Sequence, residues 1–138
     1  MPAGGNPPTA AKRSPLRVLV TDDEALIRWS VTETLSDLGV EVVQADSGRT
    51  AIAALEGAER PFDVAVVDLR LPDVADLSLV TRIRQAHVDT AVVVITAFGT
   101  PDVLADAQAI GVTAVVSKPF DVHDLARVVL TAGGQDVP

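Results

Sequence analysis

Five short runs of apolar, mostly β-branched residues alternate along this chain with longer segments of helical spacing. The runs cover residues 16–20, 40–43, 64–67, 91–95 and 113–116. They are apolar almost without interruption, which is typical of strands that are covered on both faces of a parallel sheet. The alternation predicts an α/β fold with helices on both faces of that sheet. Among doubly wound arrangements, five strands and five helices favour the flavodoxin-like order 2-1-3-4-5.

The segments between the runs predict where the five helices face the core and where they end. Apolar residues at helical spacing mark the core side of the first helix, at Ile27, Val31, Leu35 and Leu38. Thr100 is expected to cap the fourth helix and Asp121 the fifth. Glycines stand where the helices are expected to stop, at Gly39, Gly57, Gly111 and Gly133. Trp29, on the first helix, is interpreted as a packing residue.

Length and composition are those of one globular domain. The chain has 138 residues, of which 48% are hydrophobic, so it can build one core but is short for two. Residues 1–15, rich in proline and glycine, are expected to form a flexible leader, since they lack the apolar centre of a signal peptide. Residues 16–132 are expected to form the domain, and residues 133–138 a flexible tail.

Charge and cysteine content exclude several kinds of site and partner. The absence of cysteine excludes disulfides and thiolate metal sites. A net charge of −8 argues against direct nucleic-acid binding by this domain, because binding to phosphates requires a basic face. No apolar run approaches the roughly 18 residues of a membrane span. We therefore expect a cytoplasmic protein without a membrane contact.

Polar side chains stand at the ends of four of the predicted strands. Asp22 and Asp23 follow the first strand, Asp68 the third, Thr96 the fourth and Lys118 the fifth. In folds of this kind, ligands bind beyond the carboxyl ends of the strands, where the strand order reverses. Three carboxylates there would repel one another unless a cation lay among them, and an oxygen-only cluster suits Mg²⁺. Together with an ammonium and a hydroxyl, these groups are suited to phosphoryl transfer to a carboxylate.

Each of these residues also has an ordinary structural interpretation. Asp22 and Asp23 are favourable at a helix N-terminus, and Asp68 before a Leu-Arg-Leu-Pro stretch is typical of a turn. Thr96 fits a hydroxyl at a strand end, and Lys118 a solvated surface lysine. Taken together these interpretations are weaker, because the four positions would have to coincide with four strand ends by chance.

Four motifs give the chain a resemblance to the receiver domain of bacterial two-component response regulators. They are Val-Leu-Val-Thr-Asp-Asp-Glu at 18–24, Val-Val-Asp-Leu-Arg-Leu-Pro-Asp at 66–73, Ile-Thr-Ala-Phe-Gly at 95–99 and Ser-Lys-Pro-Phe at 117–120. The resemblance extends from about Leu16 to Ala132. The stretch Thr-Ala-Phe-Gly-Thr, together with Ile-Arg-Trp at 27–29, leans toward receivers of the nitrogen-regulation type.

The resemblance implies a role for each residue of the site. Asp68 would accept a phosphoryl group from a sensor histidine kinase or a phosphotransfer protein, and Thr96 and Lys118 would contact the phosphoryl oxygens. Mg²⁺ would be bound directly by Asp23, by Asp68 and by the backbone carbonyl of Arg70, and through water by Asp22. The Lys118–Pro119 peptide bond would be cis.

The resemblance also implies a mode of action. The protein would be a signalling switch that catalyses its own phosphorylation and dephosphorylation, and not a metabolic enzyme. Phosphorylation would alter the surface formed by about residues 100–132, through which receivers form homodimers or contact an output partner.

Two positions depart from the receiver pattern. The Asp-Gly pair that usually opens the third helix is replaced here by Ala75-Asp76. The position three residues before Lys118, which often carries tyrosine or phenylalanine in receivers, is Val115. The groups needed for phosphorylation are all present. The aromatic side chain that in receivers usually responds to phosphorylation by rotating inward is absent.

Two other functions remain as alternatives. A pseudo-receiver would bind partners without phosphorylation, although such domains usually lack a residue that is present here. A haloacid-dehalogenase-like phosphatase would also use an aspartate nucleophile, Mg²⁺ and lysine. It would need a second aspartate two residues after the nucleophile, where this chain has Arg70.

Overall fold

Five parallel strands form one sheet in the order β2-β1-β3-β4-β5. The structure, a computed structural model, describes residues 15–135. The strands are β1 (Arg17–Thr21), β2 (Glu41–Ala45), β3 (Val64–Asp68), β4 (Ala91–Thr96) and β5 (Ala114–Ser117). The flavodoxin-like fold predicted from the sequence is therefore confirmed. Most strands begin or end within one residue of the predicted runs, and β2 extends two residues further.

A helix follows each strand. The helices are α1 (Ala25–Asp37), α2 (Gly48–Gly57), α3 (Ser78–Ala86), α4 (Pro101–Ile110) and α5 (Val122–Ala132). The expected caps are present: Thr100 accepts a hydrogen bond from the Val103 amide, and Asp121 accepts from His123 and Asp124. Gly111, at the end of α4, has a φ of 94°, a backbone conformation that glycine adopts without a steric penalty.

The two faces of the sheet carry separate cores. On one face, α1 and α5 pack over a cluster that includes Val31, Leu35, Leu125 and Val129. On the other face, α2 and α3 contribute to a second cluster, which includes Leu19 and Val67 of the sheet and Val80 of α3. The central strand β3 is buried along its whole length. Because the strands are fixed from both sides, the residues at their carboxyl ends are held in defined positions.

Two predictions about side-chain burial were wrong. Leu38 was expected on the core side of α1, but it lies just past the end of the helix, where its side chain is 48% exposed. Trp29 was interpreted as a packing residue, yet it is 59% exposed on α1. Helical spacing identified Val31 and Leu35 correctly, but it cannot show where a helix ends or how wide its covered face is.

The predictions for the chain ends fall largely outside the described residues. The expected leader lies outside them except for Pro15, and so do the last three residues of the expected tail. Within residues 15–135, α5 ends at Ala132 and is followed by Gly133, as expected. No helix in this part of the chain has both the length and the apolar character needed to cross a membrane.

Candidate functional site

The parallel register brings the predicted site residues to one edge of the sheet. Asp68 pairs with Ile95 across β3 and β4, and Thr96 pairs with Ser117 across β4 and β5. Asp22 and Asp23 directly follow β1, which lies beside β3. The side chains proposed from the sequence therefore meet at the carboxyl ends of the central strands, where the strand order reverses.

Lys118 forms ion pairs with three carboxylates. Its Nζ lies 2.8 Å from Asp68 Oδ2, 2.9 Å from Glu24 Oε1 and 3.4 Å from Asp22 Oδ2. Burial by itself would lower the pKa of the ammonium. The hydrogen bonds to Asp68 and Glu24 and the nearby negative charges outweigh burial and raise that pKa above its ordinary value. Lys118 is therefore a permanent positive charge at this edge.

Asp68 is buried and held at both of its carboxylate oxygens. Oδ2 accepts the hydrogen bond from Lys118, and Oδ1 accepts one from the Arg70 amide at 2.9 Å. The side chain of Arg70 is exposed. The carboxylate is thus oriented toward the cluster by the loop that follows it.

Asp22 is an acid of the site whose pKa lies well above its ordinary value. Its side chain is 1% exposed. Oδ1 accepts a hydrogen bond from the Glu24 amide at 2.8 Å, while Oδ2 forms no hydrogen bond in addition to its ion pair with Lys118. Burial raises the pKa of this carboxyl from 3.8 to about 6, the Glu24 amide opposes the rise, and the charge of Asp68 adds to it. The site therefore holds a carboxylate that lacks a full set of partners.

The acidic cluster has the composition of a divalent-cation site. One carboxylate oxygen from each of Asp22, Asp23, Glu24 and Asp68 lies within 4.8 Å of the others. With all four ionised, a single lysine leaves an excess of negative charge. Hard oxygen donors and partly exposed side chains suit Mg²⁺, which retains several waters. The donor set, together with the Asp22 oxygen that accepts no hydrogen bond, thus fits this ion.

Thr96 lies at the same edge in a different hydrogen-bonding arrangement. Its buried hydroxyl accepts a hydrogen bond from the Phe98 amide at 3.1 Å, and its carbonyl accepts one from the Lys118 amide at 2.8 Å. Thr96 therefore links the β4–α4 loop with Lys118. The Lys118–Pro119 peptide bond is cis, as the resemblance implied.

Sequence reasoning did not assign a role to Glu24. This residue was recognised as part of the acidic motif, but not as a partner of Lys118, from which it is separated by 94 positions in the chain. The only available signal was its place directly after the Asp22-Asp23 pair. Only the folded arrangement shows that its carboxylate reaches the ammonium.

Known proteins with similar sequences belong to one family. The sequence matches the response regulator receiver domain family over residues 18–130. Response regulator protein PilR of Pseudomonas aeruginosa is 36% identical over 116 residues, which cover 84% of this chain and 26% of PilR. The DNA-binding transcriptional regulator NtrC of Salmonella typhimurium is 31% identical over 112 residues, which cover 81% of this chain and 24% of NtrC. The chain thus spans about a quarter of the length of these relatives.

A solved structure shows the same fold. The chemotaxis response regulator CheY4 of Vibrio cholerae superposes with a TM-score of 0.78 at 30% identity, covering 86% of this chain and 99% of CheY4. The similarity to NtrC agrees weakly with the lean toward the nitrogen-regulation type. The chain belongs to the response regulator receiver domain family, whose members are signalling switches of two-component systems.

Proposed function

We propose that this domain is a phosphorylation-controlled switch in which Asp68 accepts a phosphoryl group from a sensor histidine kinase or a phosphotransfer protein. The observation that carries this proposal is the placement of a buried aspartate 2.8 Å from a lysine ammonium and inside an acidic cluster. An Asp68 oxygen would attack phosphorus as the bond between phosphorus and the donor imidazole nitrogen breaks. No other cation among the described residues pairs with Asp68.

Lys118 and Thr96 would stabilise the transferred group. The ammonium already lies at the Asp68 carboxylate, so it would remain beside the new phosphoryl oxygens and offset their charge. Thr96 would donate its hydroxyl to a phosphoryl oxygen, because that hydroxyl now only accepts a hydrogen bond. Thr96 is the last residue of β4 and Lys118 directly follows β5, which limits the rearrangement needed for transfer.

Mg²⁺ is the proposed cofactor. Asp23, Asp68 and the Arg70 carbonyl would bind it directly and Asp22 through water, with Glu24 at the border of the cluster. When bound, the ion neutralises negative charge on the equatorial phosphoryl oxygens. The oxygen-only donor set supports this assignment.

The donor would dock beside α1. A groove of about 520 Å³ lies between α1 and the β5–α5 loop and includes Lys118, Pro119, Phe120 and Ile27 in its lining. Leu26 and Trp29 on α1 are exposed apolar side chains. Exposed apolar surface beside a reactive site favours protein contact over a small substrate.

The output would use the surface formed by residues 100–132. This surface comprises α4, β5 and α5, and β5 is an edge strand. Phosphorylation would shift the balance between two arrangements of this surface and so change its association with a second copy or an output partner. Hydrogen exchange with and without beryllofluoride tests this. A response confined to α1 and α2 would contradict it.

The phosphorylation experiment uses acetyl phosphate and Mg²⁺, followed by mass spectrometry of peptides. We expect one phosphoryl group, located on Asp68, and none in Asp68→Ala. Asp89→Ala is a matched control, because Asp89 is an exposed aspartate in the connection between α3 and β4. A phosphoryl group found on another residue of the wild-type protein would overturn the assignment. So would full phosphorylation of Asp68→Ala.

A further inference from the structure

A carboxylate outside the acidic cluster fastens the loop that follows β3 to the start of α2. Asp73 Oδ1 accepts a hydrogen bond from the Gly48 amide at 2.8 Å, and Asp73 Oδ2 accepts one from the Arg49 amide at 2.9 Å. These are the first two amides of α2, which have no carbonyl partner within the helix. The two hydrogen bonds lower the pKa of the Asp73 carboxyl, so it is ionised at neutral pH.

The loop also packs closely against the same helix end. A Cβ added at Gly48 would lie 2.7 Å from Val74 Cγ2 and 3.2 Å from Asp73 Oδ1. Only glycine leaves room for the loop to approach this closely. The hydrogen bonds and the packing are separate observations that join the same two segments.

Asp73 lies five positions after Asp68, and the residues between them include Arg70, whose carbonyl is a proposed metal ligand. The Arg70 amide donates to Asp68, and the Leu71 amide donates to the Val74 carbonyl at 2.9 Å. The Leu71 side chain is buried in the core beneath α2 and α3. Arg70 is thus held on both sides along the chain. Its amide is hydrogen-bonded to Asp68, and after it Leu71 is packed in the core and Asp73 is hydrogen-bonded to α2.

We propose that Asp73 is a positioning residue of the phosphorylation site, which holds the β3–α3 loop so that Asp68 and the Arg70 carbonyl stay directed toward the acidic cluster. This role rests on the magnesium site proposed above. Asp73 is not a ligand in this arrangement, because both of its oxygens are occupied by α2. It acts through the loop, which its hydrogen bonds hold to the first two amides of α2.

The matched control is Ser47, which caps the same helix and whose side chain hydrogen-bonds to Thr50 and not to the loop. Its Oγ accepts a hydrogen bond from the Thr50 amide at 3.1 Å. Ser47→Ala should therefore weaken the start of α2 while the hydrogen bonds to Asp73 remain. Asp73→Ala removes both of those hydrogen bonds, and Asp73→Asn keeps one acceptor oxygen. Comparing the three separates the anchoring of the loop from the stability of α2.

Two measurements test the proposal, Mg²⁺ affinity by calorimetry and hydrogen exchange of the Arg70 and Leu71 amides without metal. We expect Asp73→Ala to bind Mg²⁺ about tenfold more weakly than the wild type, as when a group that orients metal ligands is removed. Exchange at both amides should be faster, and Asp73→Asn should fall between Asp73→Ala and the wild type. Ser47→Ala should match the wild type in both measurements.

Unchanged Mg²⁺ affinity in Asp73→Ala would overturn the proposal, as would an equal loss in Ser47→Ala. Equal Mg²⁺ binding by the wild type and Asp23→Asn would mean that the proposed magnesium site is itself wrong. That outcome would overturn both proposals. It differs from the outcome in which Asp23→Asn loses Mg²⁺ binding while Asp73→Ala binds Mg²⁺ as the wild type does, which would overturn only the proposed role of Asp73.

Discussion

The Glu24 carboxylate lies 2.9 Å from the Lys118 ammonium, so Glu24 competes with Asp68 for the same cation. The Glu24 side chain is 58% exposed. An ion pair of this kind contributes at most about 1 kcal/mol to stability. Its main consequence is functional, because Lys118 must leave Glu24 in part to contact a phosphoryl group, and because Glu24 repels that group.

We predict that Glu24→Gln binds beryllofluoride more tightly in the presence of Mg²⁺. The gain should be at most about fivefold, which corresponds to about 1 kcal/mol for an exposed ion pair. Glu33→Gln, on the exposed side of α1, serves as the control for the loss of one negative charge. Weaker beryllofluoride binding by Glu24→Gln would show that Glu24 supports the site.

The raised pKa of Asp22 predicts a loss of stability with rising pH when Mg²⁺ is absent. Its folded value of about 6 exceeds the ordinary 3.8, so the unfolded chain releases this proton first. Between these two pH values the folded state binds more protons, and the free energy of unfolding falls as pH rises. The destabilisation of the folded state by the ionised Asp22 carboxylate is fully present above about pH 6 and absent below about pH 4.

Asp22→Asn tests this directly. Asparagine imitates the protonated carboxyl, so the variant should be more stable than the wild type near neutral pH, by roughly 2–3 kcal/mol. The difference should vanish near about pH 4. Urea unfolding of the variant and the wild type, with a chelator present, measures the difference in stability at each pH. A difference that is the same at both pH values would mean that Asp22 does not titrate as proposed.

Mg²⁺ is predicted to raise the Tm through binding linkage. The gain in the free energy of unfolding approaches about 2.7 kcal/mol when the Mg²⁺ concentration is a hundredfold above its Kd. Asp23→Asn should lose most of it, since Asp23 is an exposed member of the cluster and the proposed direct ligand. Asp89→Asn, far from the cluster in the fold, should keep it. Equal stabilisation of wild type and Asp23→Asn would exclude Asp23 as a ligand.

The sequence predicted the backbone of the site better than its side-chain contacts. Continuous apolar runs identified the strands, and the sheet order then placed Asp22, Asp68 and Thr96 at one edge. The contact of Glu24 with Lys118 depends on how α1 starts relative to β5. The anchoring of Asp73 to α2 likewise depends on two segments 25 positions apart. Such contacts have no periodic signature, so they emerge only from the fold.

A slow loss of the phosphoryl group from Asp68 is predicted from two exposed side chains at the site. Phe98, two residues after Thr96, is 68% exposed and cannot form a hydrogen bond with water through its ring. Arg70 has donors only and is suited to phosphoryl oxygens. Neither orients an attacking water as a base would, so we expect a half-life well beyond seconds.

Phe98→Glu should shorten that half-life, because its carboxylate can accept a hydrogen bond from the attacking water. Release of phosphate after removal of acetyl phosphate measures it. Phe98→Leu is the control for loss of the ring. A wild-type half-life of seconds would contradict the prediction.

Val115 predicts a weak link between phosphorylation and α4. The residue is half-buried in β5, pairs with Val94 and packs against the core beneath α2 and α3. Valine has one short torsion and no ring that can swing inward when Thr96 moves.

Val115→Tyr should therefore enlarge the change in α4 hydrogen exchange that beryllofluoride produces. Val116→Tyr is the control, because Val116 packs against the opposite core. If Val115→Tyr leaves the α4 response unchanged, the residue at this position does not set the strength of the link.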